Sequence, residues 1–158
     1  MPRSAKELAE RLDDVLYGDW EPHPLPTQAS ISEIEERLRI QLPEELIEVA
    51  KHSRKFSNLF LSLGPDFGSH SHIVPYNQYW KRRRRTRRLP TDLVIVTNGF
   101  MDEDFWCLVR NSGNPLAVEY WSPAPIGYPK CGVRGERFSS FLSFLEMLIE
   151  FYGKRASH

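Results

Sequence analysis

The chain has 158 residues, 41% hydrophobic and 27% charged, which suits one globular domain and excludes a disordered polypeptide. Such a domain buries about 68–70% of the surface its unfolded chain exposes, so it needs no disulfide or metal simply to fold. Basic and acidic residues both number 21, yet seven of the cations lie within residues 81–88, and without them 14 face 21, a net of −7. An acidic body therefore carries one basic segment.

No apolar run approaches the roughly 18 residues of a membrane span. The opening MPRSAKELAERLDD lacks the apolar stretch of a secretory signal, so the expected location is the cytoplasm and no membrane partner is expected. Cys107 and Cys131 belong to no CxxC pair and read as reduced thiols.

The spacing of Leu8, Leu12, Val15 and Leu16 predicts a helix over 5–16, with Ser4 as cap and Glu7 as capping-box partner. The stretch DWEPHPLPT (19–27) is a proline-rich connection. A second helix is expected from about Ser30, with Ile31, Ile34 and Leu38 on one face, until the Leu42-Pro43 step. Pro43, Glu44 and Glu45 suit the first turn of a third helix whose inner face is Leu46, Val49 and Ala50. Residues 60–63 (FLSL) suggest a short strand. Pro75 can open a fourth helix with Tyr76, Tyr79 and Trp80 inward and the arginine run as its tail.

LVIVT (93–97), FWCLVR (105–110) and LAVEYW (116–121), separated by turn residues, predict an antiparallel meander of three strands. Residues 122–134 read as irregular. The last helix is expected over 138–152, with Phe141, Leu142, Leu145 and Ile149 inward and Gly153 as C-cap. The class is α+β: a single domain, mainly an antiparallel sheet, with N-terminal helices and a closing C-terminal helix packed on it.

Chemistry-bearing patterns are sparse. His70 and His72 form a pair, but a transition-metal site needs three or four converging ligands. Cys107 lies within an apolar strand pattern and reads as a small hydrophobe. Cys131 lies near Lys130 and Arg134, which favour a thiolate, but no histidine stands near it in sequence. The triplet Asp102-Glu103-Asp104 reads first as a solvated turn, second as an electronegative projection for a partner. KRRRRTRR (81–88), preceded by Tyr79 and Trp80, matches an arginine-rich nucleic-acid segment in composition. A solvated surface that meets a protein partner accounts for it equally simply and is preferred.

The order of these segments resembles the SUKH superfamily, the Smi/Knr-type cell-wall regulators and bacterial toxin-immunity proteins. SEIEERLRIQLPEELIEVAK (32–51) is similar to its opening motif through Ile34, Glu35, Leu38, Leu42, Pro43 and Leu46. The likeness continues through the helix at 74–88, the strand pair at 93–109, LAVEYWSP and the closing FSSFLSFLEMLI (138–149). The arginine run is not part of it. The resemblance places the domain core at about 30–152, with residues 1–29 as an N-terminal helix and loop.

What the resemblance implies is a non-enzymatic protein-binding module without cofactor or metal. In bacterial members this is an immunity protein that neutralises a cognate toxin, a nuclease or another effector, by stoichiometric binding. The second reading is a nucleic-acid-binding protein that uses residues 81–88. Aromatic and arginine residues dominate interfaces, so the expected partner-contacting set is Trp80, Arg82, Arg84, Arg85, Asp102, Glu103, Asp104 and Trp121.

Overall fold

The computed structural model describes residues 4–20, 22–99, 103–127 and 129–156. Among the described residues five α-helices and a four-stranded antiparallel sheet enclose one hydrophobic cluster. The helices are α1 (Ala5–Val15), α2 (Gln28–Leu38), α3 (Glu44–His52), α4 (Ile73–Lys81) and α5 (Phe141–Ala156). The strands β1 (Leu93–Ile95), β2 (Phe105–Val109), β3 (Val118–Ser122) and β4 (Val133–Phe138) lie side by side in chain order.

Local hydrogen bonding explains where the helices begin. Ser4 Oγ accepts the Glu7 N–H at 3.2 Å and starts α1 as expected. Helix α2 starts earlier than Ser30. Thr27 Oγ1 accepts the Ser30 N–H at 3.0 Å, and Ser30 Oγ accepts the Thr27 N–H at 2.9 Å, a capping box in which serine replaces the usual glutamate. Between α2 and α3 the Glu35 carboxylate accepts the Leu42 N–H at 2.7 Å. This bond gives the opening motif its physical sense: the glutamate fixes the corner that Pro43 then turns into α3.

Helix α4 begins at Ile73 rather than Pro75, because His72 caps it. The buried His72 ring accepts the Val74 N–H at Nδ1 (3.1 Å) and, through Nε2, bonds the Gly64 carbonyl at 2.8 Å. That pairing requires the neutral ring with its proton on Nε2. His72 is thus a helix cap, and its ring is fully occupied. In the middle of α4, the buried Asn77 amide accepts the Ile95 N–H at 2.7 Å and donates to the Ile95 carbonyl at 2.9 Å. It satisfies both backbone groups on the otherwise open edge of β1.

Four expectations are corrected. Residues 60–63 form only single bridges, Phe60 with Thr97 and Ser62 with His72, instead of a strand of the main sheet. β4 arises partly within the stretch read as irregular. It is charged and exposed on its open side, so it has no alternating apolar signal, and Gly135 lies so close to the Tyr120 ring that a Cβ would come within 2.8 Å. The alternation of Leu116, Val118 and Tyr120 predicts one inward face for β3, but the strand is buried on both faces, because Glu119 and Trp121 are covered as well as Val118. Finally, α5 starts at Phe141 and runs through Gly153, which is therefore not its cap.

Helix α1 lies outside the resemblance, yet Leu8, Ala9 and Leu12 are fully buried and it packs on α3 and α5. Phe141, Phe144 and Leu145 carry α5 into the same cluster. No helix among the described residues is long and apolar enough to cross a membrane.

Two outcomes follow. Leu145 has no exposed surface, so Leu145→Ala should cost about 2–5 kcal/mol in urea denaturation. Burial holds the His72 proton affinity below the ordinary 6.5, so the unfolded chain takes up that proton first. The stability from His72 is complete above pH 6.5 and declines as pH falls through the lowered folded value. Unfolding free energies measured across this range should fall on acidification, and His72→Asn, which can still cap, should flatten the decline.

Candidate partner-binding surface

The end of α4 is built around Trp80. Its ring meets Phe105 (5.1 Å, 63°) and Trp121 (5.8 Å, 85°) edge to face, while Phe105 and Trp121 stack across strands at 5.6 Å. Such aromatic pairs add about 0.5–1.5 kcal/mol each beyond the area they bury. Trp80 and Trp121 are 5% and 2% exposed, so neither side chain lies at the surface; they support it from beneath.

The arginine run does not continue the helix. Helix α4 ends at Lys81, and after an extended Arg84 a single 3-10 turn covers Arg85–Arg87. A continuous helix would stack like charges at every three- and four-residue spacing, which is unfavourable. Instead the Leu89 N–H returns to the Trp80 carbonyl at 3.0 Å and closes residues 81–88 into a loop.

Arg87 anchors that loop from inside. Its guanidinium lies over the Trp80 ring at 5.7 Å, donates through Nη1 to the Ala124 carbonyl, and pairs through Nη2 with Glu103 at 2.6 Å. Arg82, Arg84, Arg85 and Arg88 point to solvent, and Arg88 Nε donates back to the Arg83 carbonyl at 3.2 Å. Tyr79, expected inward, is 53% exposed, with Arg83 over its ring at 5.1 Å. Pro75, Gln78, Tyr79, Arg82 and Arg83 frame a shallow concavity of about 260 Å³.

The acidic turn meets this loop. Glu103 (φ +53°) is exposed and reaches Arg87; Asp104 is half-buried and accepts the Tyr120 hydroxyl at 2.7 Å. Asp102 lies outside the described residues. Of the expected contact set, Arg82, Arg84, Arg85, Glu103 and Asp104 thus lie along connected surface segments. Sequence reading missed the inward turn of Arg87, since no periodicity distinguishes it from its six cationic neighbours.

A second set of ionisable groups ties the sheet together. Glu119 is buried beneath β4 and pairs with Arg134 and Arg137, while Arg134 also grips both oxygens of Asp92 at 2.9 Å. That bidentate contact holds the Asp92 carboxyl below the usual carboxylate range and pushes the Arg134 guanidinium further up. Burial, assisted by Glu119, raises the Cys107 thiol well above its ordinary value, which disfavours a thiolate nucleophile. Among the described residues no three His, Cys, Asp or Glu side chains converge to hold a metal.

The chain matches a known family. The description of the SMI1 / KNR4 family (SUKH-1) matches residues 25–149, and the chain belongs to that family. A crystal structure of a protein from Pseudomonas syringae pv. tomato superposes with a TM-score of 0.58 at 21% identity. The match covers 89% of this chain and 95% of that one, and it shows the shared fold. No curated protein sequence matches the chain.

Arg87 and its neighbours should separate on mutation. Replacing Arg82, Arg84 and Arg85 together with glutamine should leave the melting temperature almost unchanged, since exposed substitutions shift stability by under about 0.5 kcal/mol each. Arg87→Ala should cost about 1–3 kcal/mol, because it strips the buried Ala124 carbonyl of its donor and Trp80 of a covering group. Equal losses in the two variants would show that the loop has no inner anchor.

Proposed function

We propose that the protein is a non-enzymatic immunity module that neutralises a cognate toxin by stoichiometric binding, with the 81–88 loop as part of its contact surface. Membership of the SMI1 / KNR4 family supports the binding role. The observation that carries the choice of surface is the anchored loop. Trp80, Arg87 and Leu89 hold its frame in place while Arg82, Arg84 and Arg85 remain exposed. A frame fixed before binding lowers the ordering cost of association, and arginine gives directional bonds to carboxylates.

Glu103 and Asp104 extend the surface with the opposite sign. Binding would require the toxin to present an acidic patch to the loop, and the acidic remainder of the chain would suit a basic partner elsewhere on its surface. The reaction is association alone. Protection of the host comes from covering or distorting the toxin, with no bond made or broken by this chain.

A second reading has its own observation. Tyr79 is half-exposed beside Arg82 and Arg83, an aromatic face with cations as in single-strand binding surfaces. Salt separates the two. Nucleic-acid binding through the loop should weaken steeply with salt, with a log–log slope near −0.7 per phosphate neutralised on a single strand, and the triple glutamine variant should flatten it.

Co-purification with the product of a neighbouring toxin gene should recover a complex of fixed ratio and restore growth to cells making that toxin. The triple variant should mainly slow association, since exposed charges act on encounter rates. Tight, sequence-tolerant nucleic-acid binding that the triple variant destroys would overturn the immunity reading.

A further inference from the structure

Another concavity, of about 550 Å³, lies between the α2–α3 corner and the loop joining β2 to β3. Residues 39–45 form one wall and residues 110–116 much of the other. Both walls are shaped by backbone constraints. Arg39 ends α2 in the left-handed region (φ +53°), and the Glu35–Leu42 bond fixes the segment that follows. Opposite, the Arg110 N–H donates to the Asp92 carbonyl at 2.7 Å, and the left-handed Asn111 (φ +55°) turns the chain away from β2.

Arg39 and Arg110 line this one cleft, and neither joins an ion pair among the described residues. Arg110 Nε is buried without a hydrogen-bond partner. Burial and then the Arg39 guanidinium lower the proton affinity of Arg110, and Asp92 offsets this only in part. Lys81 is lowered by burial and then by Arg110 and Arg39. Arg39 and Arg110 thus share one cleft, and Lys81, the last residue of α4, lies within electrostatic reach of both. An anion seated there would relieve their repulsion.

The same cleft is lined by Glu44 and Glu45 in the first turn of α3. A phosphate-rich ligand would meet those carboxylates. A protein segment with an acidic side chain next to a basic one finds opposite charge at both places. We propose that this cleft docks a carboxylate side chain of a partner protein between Arg39 and Arg110, with a neighbouring basic side chain facing Glu44 and Glu45. The inference rests on the protein-binding reading and names the chemistry of the partner segment. It also extends the contact surface from the arginine loop across Lys81.

The test uses a capped peptide of alternating glutamate and lysine, an all-lysine peptide and inorganic pyrophosphate, each titrated into isotopically labelled full-length protein. The alternating peptide should shift the Arg110 Nε–H and the Asn111 and Gly113 amide resonances. Arg39→Gln with Arg110→Gln should weaken that response roughly tenfold. Should the double variant lose its fold, Arg39→Gln alone, at an exposed position, should still weaken it measurably. Absence of any shift, a stronger response to the all-lysine peptide or pyrophosphate, or a response untouched by the variants overturns the proposal. Capture of the cognate toxin by the double variant at wild-type affinity would remove the cleft from the interface while leaving stoichiometric binding intact. A peptide response that depends on both arginines, with no toxin captured, would support the cleft and sink the immunity reading instead.

Discussion

The Asn77 amide is the contact on which the surface of this protein depends. β1 has only three residues, and its outer edge faces no strand, so Ile95 would leave a backbone donor and acceptor buried without partners. Asn77 supplies both bonds from within α4 and so fixes the helix against the sheet in one register. Leaving two buried groups unpaired would cost about 1–3 kcal/mol each, which makes sliding of α4 expensive. Because Trp80 lies one turn further on, its edge-to-face contacts with Phe105 and Trp121 follow from the same docking. Arg87 rests on Trp80, and the exposed arginines hang from Arg87. A bond in the core thereby sets the position of charges at the surface.

Charge is sorted by the same logic. Seven cations in eight residues would repel if wound into a helix, and the loop spreads them. One faces inward to a carboxylate and a carbonyl, and others remain in water. On the far side of the sheet edge, Arg134 and Arg137 answer the buried Glu119, and Asp92 completes the network. Removing the arginine partners would leave the buried Glu119 carboxylate desolvated and unpaired, which costs more than the pair contributes. β4 can therefore be an exposed edge strand: its charges pair across to β3, and they discourage pairing with another chain.

Much of the architecture was legible from residue order. Apolar spacing located five helices, and the turn residues after β1 and β2 located the first three strands. The misses share a cause, which is that the deciding partner is distant in sequence. β4 is defined by its pairing with β3 and by the space Gly135 leaves for Tyr120, neither of which produces a periodic pattern. His72 caps α4 with a ring, where a short polar side chain is the usual signal. Trp80 and Trp121 were expected at the interface because tryptophan is common there, yet its large apolar area is just as useful at the junction of a helix and a sheet. The outward arginines were legible by number alone, since eight consecutive residues cannot all be buried. Which one turned inward depended on Glu103 and Ala124.

The anchored loop also bears on how a neutral chain can meet a charged partner. Net charge governs long-range attraction, and here it is zero, so steering must come from local separation of sign. Beyond about 8–10 Å at physiological salt the two signs are screened and largely cancel. Within that distance the arginine loop and the acidic remainder act as separate patches, and a partner feels orientation more than overall pull. A flexible basic tail would attract acidic surfaces indiscriminately. A loop held by Trp80, Arg87 and Leu89 offers its guanidinium groups on a fixed frame, so a partner must match a pattern of positions. The buried aromatic junction contributes to selectivity in this way without touching the partner.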